Sequence, residues 1–589
     1  MNYDDLTREE LIAVLQRRDA LARYGLRWER DSIPQDKSLN RDFVGFELDE
    51  ERSVGEGPWT NLVVEGDNFD ALRHLATTHP GKVQVIYVDP PYNTGRKDFV
   101  YNDNYFDATN RYRHSAWLEF MYQRMSLAKH LLSDDGTIFV SIDDIELYNL
   151  KLLMDSVFGA QNFIGNIVWN NVTDNNPTRV AIEHEYILVY AKQKALNPPI
   201  WKSPDFAIKE LLLEVGHKLI DQYDDQDALQ KAYTEWYREN KAFLGPMADY
   251  KFIDHKGVYA GSRSVHNPGK EGYRYDVPHP VTGKPCKEPL MGYRFPWKTM
   301  QALIENDELL YGEDENKIIE LKVYAKDFLA KLPSVIELDG RKGPNELKSI
   351  FGGVAPFNNP KPSELITHLL SFVANKDALV MDFFAGSGTT AHAVMQLNKE
   401  DGGNRSFILV SSKEATVEEP DKNICKDVCA ARITKVIEGY QSSDGERVPG
   451  LGGNFAYVKA TRVPMHRLEE GLTDSMVWMF ALQACRHPLT AATPGLSVST
   501  RGEHMVAYCS NVKTATLEKL EAAIARHSGV AVVLTWAPAV VAERLAENMH
   551  RIRLVSVPHD IRRSFKQGNV RDAQEQQPDS QEENQGESA

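Results

Sequence analysis

Four consecutive residues, Asp89-Pro90-Pro91-Tyr92, combine an acid, a rigid turn and an aromatic ring. They follow the run VQVIYV (83–88), whose apolar, β-branched character is typical of a strand buried on both faces of a parallel sheet. Two prolines cannot continue a central strand, so the tetrapeptide is predicted to form the loop at the strand's carboxyl end. That edge of an open parallel sheet is where ligands bind.

Such a loop could activate an exocyclic amine for group transfer. This amine is a poor nucleophile because its lone pair is delocalised, so a site must accept its hydrogen bonds and hold it in line with a donor. Asp89 supplies an ionised acceptor, and the Pro90 carbonyl can supply a second. Tyr92 offers a face on which an extruded base can stack. Positioning and electrostatics would suffice without a metal or a covalent intermediate, although the tetrapeptide alone is equally compatible with a simple turn.

A glycine-rich turn, DFFAGSGTT (382–390), lies between a second apolar strand and a helix. Gly386 and Gly388 would let a ligand approach the backbone closely. No GK[ST] follows, which excludes a P-loop, and the third glycine of a dinucleotide fingerprint is missing. The turn therefore suits a ligand without a pyrophosphate, such as S-adenosylmethionine.

The elements around these loops predict an α/β, Rossmann-like fold, and 589 residues predict more than one domain. The segment 196–350 is rich in Lys, Tyr, Trp, Gly and Pro and is predicted to be an inserted domain. The predicted divisions are an N-terminal helix and linker (1–59), the catalytic half (60–195), the insertion (196–350), the cofactor half (351–440), a small C-terminal α/β domain (441–570) and a disordered acidic tail (571–589).

Composition limits the class of protein. A net charge of −16 argues against a whole-surface grip on nucleic acid and leaves room for a local basic cleft. Five scattered cysteines argue against a disulfide framework and fit a reducing cytoplasm. The polar start MNYDDLTREEL is not expected to be a secretory signal, and no apolar run reaches the roughly 20 residues of a membrane span.

The chain resembles the β-class amino-methyltransferases, in which the catalytic loop precedes the cofactor loop, and in particular the modification subunits of type III restriction systems. The strings that carry the resemblance are YGLRWE (24–29), EGDNFDAL (65–72), VIYVDPPYNTGRKDFVYND (85–103), DDGTIFVSIDD (134–144), HEYILVYAK (184–192), NPKPSELI (359–366) and DFFAGSGTT (382–390). The resemblance implies a permuted S-adenosylmethionine-dependent methyltransferase fold with 196–350 as target-recognition domain. It also implies methylation of adenine N6 in DNA by base flipping and direct transfer, in a restriction or phage-defence system.

The resemblance also implies roles for individual residues. The implied catalytic residues are Asp89, Pro90, Pro91 and Tyr92. The implied cofactor residues are Asp67, Lys361, Pro362, Ser363, Asp382, Phe384, Gly386, Gly388, Thr389 and Glu414. Among these, Lys361 to Ser363 would lie against the methionine moiety, Asp67 would face the adenine and Glu414 would hold the ribose hydroxyls. A solvated surface role for Glu414 is equally compatible with the sequence, and Phe383 stands where the family often has proline.

Basic residues interleaved with aromatic ones in the insertion suggest a DNA surface. The basic residues are Lys202, Lys251, Arg263, Arg274 and Arg294, and the aromatic ones are Trp201, Tyr250, Tyr273 and Tyr293. A solvated charged face remains an equal alternative. Other polar residues have plainer interpretations. Asn170, Asn171, Asn175 and Asn176 favour a polar loop over DNA contact, Cys425 and Cys429 favour packing over metal binding, and His184 favours a structural role. No metal site is predicted.

Partners and rival functions follow from the same residues. The expected substrate is double-stranded DNA, and the family implies a homodimer. Cleavage would belong to a separate helicase and nuclease subunit or to other defence proteins, because the chain has neither a helicase P-loop nor a nuclease constellation. The rivals are a cytosine exocyclic-amine methyltransferase and a non-catalytic DNA-recognition subunit. The complete DPPY and both glycines argue against the second, and RNA is a less favoured substrate.

Overall fold

The computed structural model describes residues 28, 39–94, 112–172, 179–203, 207–241, 244, 247–267, 269–328, 330–416 and 419–574. The helix predicted within 1–59, over residues 7–24, lies outside these residues. The chain divides into two compact units. Unit 1 comprises Met1–Pro199 and Pro333–Ala589, and unit 2 comprises Ile200–Leu332.

The first segment of unit 1 alternates strands and helices. Its strands are β1 (Phe43–Leu48), β2 (Leu62–Glu65), β3 (Val83–Val88), β4 (Leu132–Ile142), β5 (Phe163–Asn170) and β6 (His184–Ala191). Its helices are α1 (Asn68–Thr78), α2 (Arg113–Leu131) and α3 (Leu147–Phe158).

Unit 2 combines helices with short antiparallel strands. Its strands are β7 (Lys202–Ser203), β8 (Phe252–Asp254), β9 (Gly257–Ser264), β10 (Leu309–Leu310), β11 (Glu320–Tyr324) and β12 (Ala330–Lys331). Its helices are α4 (Ala207–Gln222), α5 (Gln226–Asn240) and α6 (Trp297–Glu305). One sheet has the order β10-β11-β9-β8, and two apolar clusters, around Tyr233 and around Tyr293, form the cores of the unit.

The second segment of unit 1 completes the fold. Its strands are β13 (Val335–Glu337), β14 (Leu379–Asp382), β15 (Ser406–Ser411), β16 (Gly439–Gln441), β17 (Arg447–Pro449), β18 (Ala456–Val463), β19 (Leu496–Arg501), β20 (His504–Cys509), β21 (Val530–Thr535) and β22 (Ile552–Ser556). Its helices are α7 (Lys342–Ile350), α8 (Ser363–Val373), α9 (Thr389–Asp401), α10 (Ala431–Glu438), α11 (Leu468–Gly471), α12 (Asp474–Cys485), α13 (Thr514–Arg526), α14 (Pro538–Arg544) and α15 (His559–Gln574). Because α15 extends to Gln574, the tail predicted from residue 571 begins within a helix, and its remainder lies outside the described residues.

The main sheet of unit 1 has the order β1-β18-β2-β15-β14-β3-β4-β6-β5-β13 among the described residues. All its strands run in one direction except β1 and β6. Neighbouring residues such as Val85 and Ile86 point to opposite faces and are both fully buried, so both faces of the sheet are covered. The predicted α/β, Rossmann-like fold is confirmed.

The sheet topology determines where chemistry can occur. The carboxyl ends of β2, β15, β14 and β3 meet at one edge, because these four strands are parallel neighbours. The antiparallel β6 starts at that same edge. Loops far apart in the sequence therefore converge there.

Two boundaries differ from the sequence prediction. The insertion was predicted over 196–350, whereas unit 2 ends at Leu332, because β13 pairs with β5 of the main sheet. The C-terminal domain was predicted from residue 441, whereas β18 pairs with β2 in the main sheet. The separate four-stranded sheet, β19-β20-β21-β22, begins at Leu496.

The C-terminal sheet shares a core with the main sheet through α12. Trp478 of α12 is fully buried in the same apolar cluster as Phe46 of β1 and Tyr508 of β20. The Tyr508 hydroxyl also donates a 2.7 Å hydrogen bond to Asp474. Among the described helices, none is both long and apolar enough to cross a membrane.

Candidate active site

The DPPY loop and the glycine-rich turn leave adjacent strands. Strand β14 pairs in parallel with β3 through Val380 with Val85 and Met381 with Ile86. The segment that starts at Asp89 and the segment that starts at Phe383 therefore emerge side by side at the carboxyl edge. The adjacency brings the predicted catalytic loop and the predicted cofactor loop together.

Four charged or polar side chains, two from the DPPY loop and two from other segments, form a compact cluster. The Tyr92 hydroxyl oxygen lies 2.8 Å from Asp89 Oδ1 and 2.9 Å from Glu185 Oε2. Lys361 Nζ donates to Tyr92 Oη at 2.8 Å and to Glu185 Oε2 at 2.9 Å, and it lies 3.2 Å from Asp89 Oδ1. Asn171, the residue after β5, donates to Glu185 Oε1 at 2.9 Å. We call Asp89, Tyr92, Glu185 and Lys361 the loop cluster.

Burial and mutual charge set the ionisation of the loop cluster. Burial raises the pKa of the Asp89 carboxyl above its ordinary value, against the opposing charge of Lys361. Burial acts in the same direction on Glu185, but Lys361 outweighs it and holds the pKa of that carboxyl below its usual value. Burial lowers the pKa of Lys361, yet the two carboxylates outweigh it and raise that pKa to about 12. Lys361 is therefore an ammonium and Glu185 a carboxylate at neutral pH.

Two acceptor atoms of the DPPY loop have no hydrogen-bond donor among the described residues. The fully buried Trp117 of α2 donates its indole N–H to the Pro91 carbonyl at 2.7 Å. No described residue donates a hydrogen bond to the Pro90 carbonyl or to Asp89 Oδ2. These are the two acceptors that the sequence assigned to the amine.

The chain after Tyr92 is held by a buried acid. Asn93 adopts a left-handed backbone conformation with φ of 59°, and its side-chain amide donates to Glu146. His114 Nδ1 lies 2.6 Å from the same carboxylate, which is fully buried. Glu146 therefore anchors the loop from the α3 side.

The carboxylate of Asp382 accepts two hydrogen bonds from within the glycine-rich turn. Asp382 Oδ1 accepts the Phe384 N–H at 2.9 Å, and Oδ2 accepts the Thr390 hydroxyl at 2.6 Å. Burial raises the pKa of Asp382 to about 7. Gly386 and Gly388 have φ of 48° and 77°, a region that disfavours residues with a Cβ. The turn thus needs glycine at both positions.

A buried ion pair joins the glycine-rich turn to the 361–363 segment. Arg432 of α10 is fully buried and donates to Thr389 Oγ1 at 2.7 Å and to Glu346 Oε2 at 2.9 Å. The other oxygen of Glu346 accepts the Ser363 hydroxyl. Thr389 and Ser363, both predicted cofactor residues, are therefore linked through Arg432 and Glu346.

A cavity of about 490 Å³ opens beside the turn at the ends of β2 and β15. Its lining residues are Glu65, Gly66, Asp67, Ser412, Lys413, Glu414, Ala415, Lys459, Ala460 and Thr461. Asp67 caps α1 by accepting the Phe69 N–H at 2.9 Å. Burial raises the pKa of Glu414, and its nearest cation, Lys422, lies 4.0 Å away. The predicted Asp67 and Glu414 thus line the same cavity.

The remaining cofactor candidates lie nearby in unit 1. Phe384 is buried in the turn, and Pro362 precedes the first residue of α8. Lys361 lies in the loop cluster, beside the catalytic loop and its Asp89. The structure therefore groups Lys361 with the catalytic residues, although the sequence grouped it with the cofactor residues.

The predicted DNA-binding residues lie in unit 2, and their surroundings differ. Arg263 pairs with Asp249 at 3.2 Å, and Arg274 pairs with Glu288 at 2.6 Å. The Arg294 guanidinium lies over the Phe295 ring at 4.5 Å. Lys251 Nζ lies 5.3 Å from the centre of the Phe252 ring. The side chain of Lys202 in β7 lies outside the described residues.

The aromatic residues of the predicted DNA surface divide into two groups. Tyr250 and Tyr293 are buried in the two cores of unit 2, so the suggestion that they belong to a DNA surface was wrong. Their hydrophobic rings fill cores that a sequence pattern cannot distinguish from a surface. Tyr273 is 53% exposed and remains accessible.

Several residues with plainer interpretations can also be located. Cys425 and Cys429 are buried thiols, the latter against Gly388. His184 lies 2.7 Å from the Tyr186 hydroxyl. Asn170 ends β5, while Asn175 and Asn176 lie outside the described residues. No group of three or more potential metal ligands occurs among the described residues.

Sequence reasoning missed Glu185, Glu346, Arg432 and Trp117 as members of the site. Glu185 lies within a quoted string, HEYILVYAK, but nothing local assigns it to Asp89. The Glu185–Lys361 contact spans 176 positions of sequence and the Arg432–Glu346 contact spans 86. The only local signal was an acid at the start of an otherwise apolar strand.

Comparison with known proteins agrees with this geometry. A family model described as DNA methylase matches residues 83–419. The chain is 48% identical over 385 residues to the type III restriction-modification enzyme EcoP15I Mod subunit of Escherichia coli, with 61% of this chain and 60% of that protein covered. It is 35% identical over 430 residues to the StyLTI Mod subunit of Salmonella typhimurium, with 67% and 59% covered. The chain thus spans about 60% of the length of these curated relatives.

Proposed function

Because the chain belongs to the DNA methylase family, we propose that it transfers a methyl group from S-adenosylmethionine to the N6 amine of adenine in double-stranded DNA. The observation that carries the proposal is the pair of open acceptors, Asp89 Oδ2 and the Pro90 carbonyl, on a loop beside the glycine-rich turn. An exocyclic amine has two hydrogens, and two acceptors on one loop match them.

The chain's own residues would orient the base rather than react with it. Asp89 and the Pro90 carbonyl accept the amine hydrogens, which localises the lone pair on nitrogen. Tyr92, whose ring is partly exposed, offers a surface for the extruded base. Burial of this site strengthens each of these polar contacts relative to water.

The cofactor site fits the residues present. S-adenosylmethionine would supply an activated methyl group on a positively charged sulfonium. The backbone at Gly386 and Gly388 is open to close approach, and the neighbouring cavity of about 490 Å³ can hold an adenosine-sized group. No described residue donates a hydrogen bond to Glu414, so its carboxylate is available for ribose hydroxyls. Asp67 lines the same cavity at its β2 end.

Unit 2 is proposed to recognise the DNA target. Among the described residues, Lys251 and Arg294 have no carboxylate partner, unlike Arg263 and Arg274. The first two are therefore proposed as the stronger phosphate contacts, because their charge is not neutralised locally. Lys202 remains a candidate from the sequence.

The relatives suggest a biological setting. Both are named as Mod subunits of type III restriction-modification enzymes. We propose that this chain modifies host DNA in the cytoplasm as a homodimer and that a separate restriction subunit with helicase and nuclease activity performs any cleavage. Partners from other defence systems are the alternative.

Methyl transfer from labelled S-adenosylmethionine to duplex DNA tests the proposed activity. Wild-type chain should label DNA, and Asp89→Ala, which removes both carboxylate oxygens, should lower the transfer rate at least about 100-fold, as for loss of an electrostatic catalytic contact. Binding of S-adenosylmethionine, measured by calorimetry, should change less than about twofold. Asp444→Ala, at an exposed hairpin position, is the matched control and should retain the wild-type rate.

Two outcomes would contradict the proposal. Equal labelling by wild type and Asp89→Ala would show that Asp89 takes no part in the reaction. Binding of DNA and S-adenosylmethionine by wild type without any labelling, across DNA of diverse sequence, would instead favour a non-catalytic recognition subunit.

A further inference from the structure

The ammonium group of Lys361 uses all its donors within the loop cluster. An ammonium has three N–H donors and no acceptor. Its three neighbours are Tyr92 Oη at 2.8 Å, Glu185 Oε2 at 2.9 Å and Asp89 Oδ1 at 3.2 Å. The side chain is only 10% exposed. Lys361 therefore has no donor left for a cofactor carboxylate.

Glu185 is held as firmly as Lys361. Asn171, the residue after β5, donates to one of its oxygens, and Lys361 donates to the other, which also lies 2.9 Å from the Tyr92 hydroxyl oxygen. The cluster thus ties together the β3 loop, the β5 end, the start of β6 and the segment before α8. A side chain at the meeting point of four segments sets their relative positions.

We propose that Lys361 and Glu185 are positioning residues that hold Asp89 and Tyr92 in the geometry for the target amine, and that Lys361 is not a ligand of the cofactor. Lys361 and the Tyr92 hydroxyl occupy Asp89 Oδ1, so Oδ2 is the oxygen presented to the amine. Glu185 in turn fixes Lys361 and the Tyr92 hydroxyl. The inference rests on the proposed function, because it assigns roles within that reaction.

The charge balance of the cluster supports this role. Two carboxylates share one ammonium, so the cluster has an excess negative charge when all three groups are ionised. Among the described residues, the charged or titratable groups that interact with Asp89 include Lys361, Glu185, Tyr92, Tyr87 and Asp382. Among them only Lys361 is a cation. A negative cluster favours an amine that becomes positive as it is methylated.

Two variants test the proposal because they change the Asp89 environment in opposite directions. Lys361→Met removes the cation that lowers the pKa of Asp89, so the acidic limb of the pH–kcat/KM profile should move to higher pH. Glu185→Gln removes an anion that raises that pKa, so the limb should move to lower pH. Both variants should lower kcat by about 10- to 100-fold, because the loop is no longer held in place.

Cofactor binding separates positioning from ligation. The dissociation constant of S-adenosylmethionine, measured by calorimetry without DNA, should change less than about twofold in Lys361→Met. The matched control is Lys151→Met, because Lys151 forms a comparable Lys–Asp–Tyr group with Asp155 and Tyr190. That group lies at the opposite end of β6, so kcat and the pH profile should stay at wild-type values.

The result that overturns the proposal is specific to each readout. A tenfold or greater loss of S-adenosylmethionine affinity in Lys361→Met would make Lys361 a cofactor ligand. Wild-type kcat in either variant, or a shift of both acidic limbs in the same direction, would also reject the positioning role. If wild type binds S-adenosylmethionine but transfers no methyl group, the proposed function fails, and the affinity of Lys361→Met still decides the assignment of Lys361.

Discussion

The DPPY loop and the glycine-rich turn leave neighbouring strands, but they use their acids in opposite ways. Asp382 satisfies both of its oxygens within its own turn, through the Phe384 N–H and the Thr390 hydroxyl. Asp89 gives one oxygen to the loop cluster and leaves the other open. Asp382 is thus fully used within its turn, whereas Asp89 has an oxygen available for the proposed substrate amine.

The two regions also differ in how charge is balanced. Behind the turn, one cation, Arg432, pairs with one anion, Glu346. The loop cluster matches one cation, Lys361, with two anions. Buried charges that hold a rigid turn in place are stable only when they are paired. A loop proposed to bind an amine is instead favoured by excess negative charge. The following variants test whether each region works as this contrast requires.

The largest effect on stability is expected from Glu346→Gln, which removes the negative charge that pairs with Arg432. Because Arg432 is fully buried, its uncompensated charge should lower the free energy of unfolding by about 3–5 kcal/mol. Urea denaturation measures the change. The control Glu364→Gln breaks an exposed pair with Lys342 and should cost no more than about 1 kcal/mol.

The same ion pair predicts an acid dependence of wild-type stability. Burial raises the pKa of Glu346, but Arg432 outweighs it and holds that pKa below its ordinary value of 4.5. The stabilisation is therefore present at neutral pH and is lost as pH falls through the lowered pKa.

Equal stability losses for Glu346→Gln and Glu364→Gln would show that the Arg432–Glu346 pair does not stabilise the turn.

Trp117→Phe should have a smaller effect that is specific to the loop. It leaves the Pro91 carbonyl without its donor, at a cost of about 1–3 kcal/mol in the free energy of unfolding, and lets the loop shift. Trp478→Phe is the matched control, since Trp478 is equally buried and donates to Thr490 at 3.1 Å. Both variants should lose similar stability by denaturation, but only Trp117→Phe should lower kcat. A fall in kcat for both would mean that general destabilisation is the cause.

The smallest stability effect is expected from Gly388→Ala. Gly388 and Gly402 both have positive φ, so alanine should cost about 1–2 kcal/mol of unfolding free energy at either position. Only at Gly388 would the added Cβ meet other atoms, 3.1 Å from Cys429 Sγ and 3.2 Å from its carbonyl oxygen. Calorimetry should therefore show at least about tenfold weaker S-adenosylmethionine binding in Gly388→Ala alone. Unchanged affinity there would argue against the turn as the cofactor cradle.

Much of this fold could be predicted from local sequence. Continuous apolar runs identified β3 and β14, and Pro, Gly and Asp residues marked where these strands end. The resemblance to DNA methyltransferases is confirmed by the family match over 83–419. The roles of individual site residues stay predictions until they are tested.

The parts that escaped prediction depend on contacts distant in sequence. Nothing near Lys361 indicates that it faces Asp89 and Glu185, because that contact exists only after β3 and β6 join one sheet. The short strand β13 could not be separated from unit 2, since its three residues carry no periodic signal. Burial of Tyr250 and Tyr293 likewise depends on packing that aromatic content does not reveal.

One measurement tests the central claim most directly. Duplex DNA methylated by the wild-type chain with labelled S-adenosylmethionine is digested to nucleosides and analysed by mass spectrometry. We predict that the label is found in N6-methyladenine. Label found only in N4-methylcytosine would contradict adenine as the target base, and label found only at ring carbon positions would contradict the amine chemistry of the Asp89 loop.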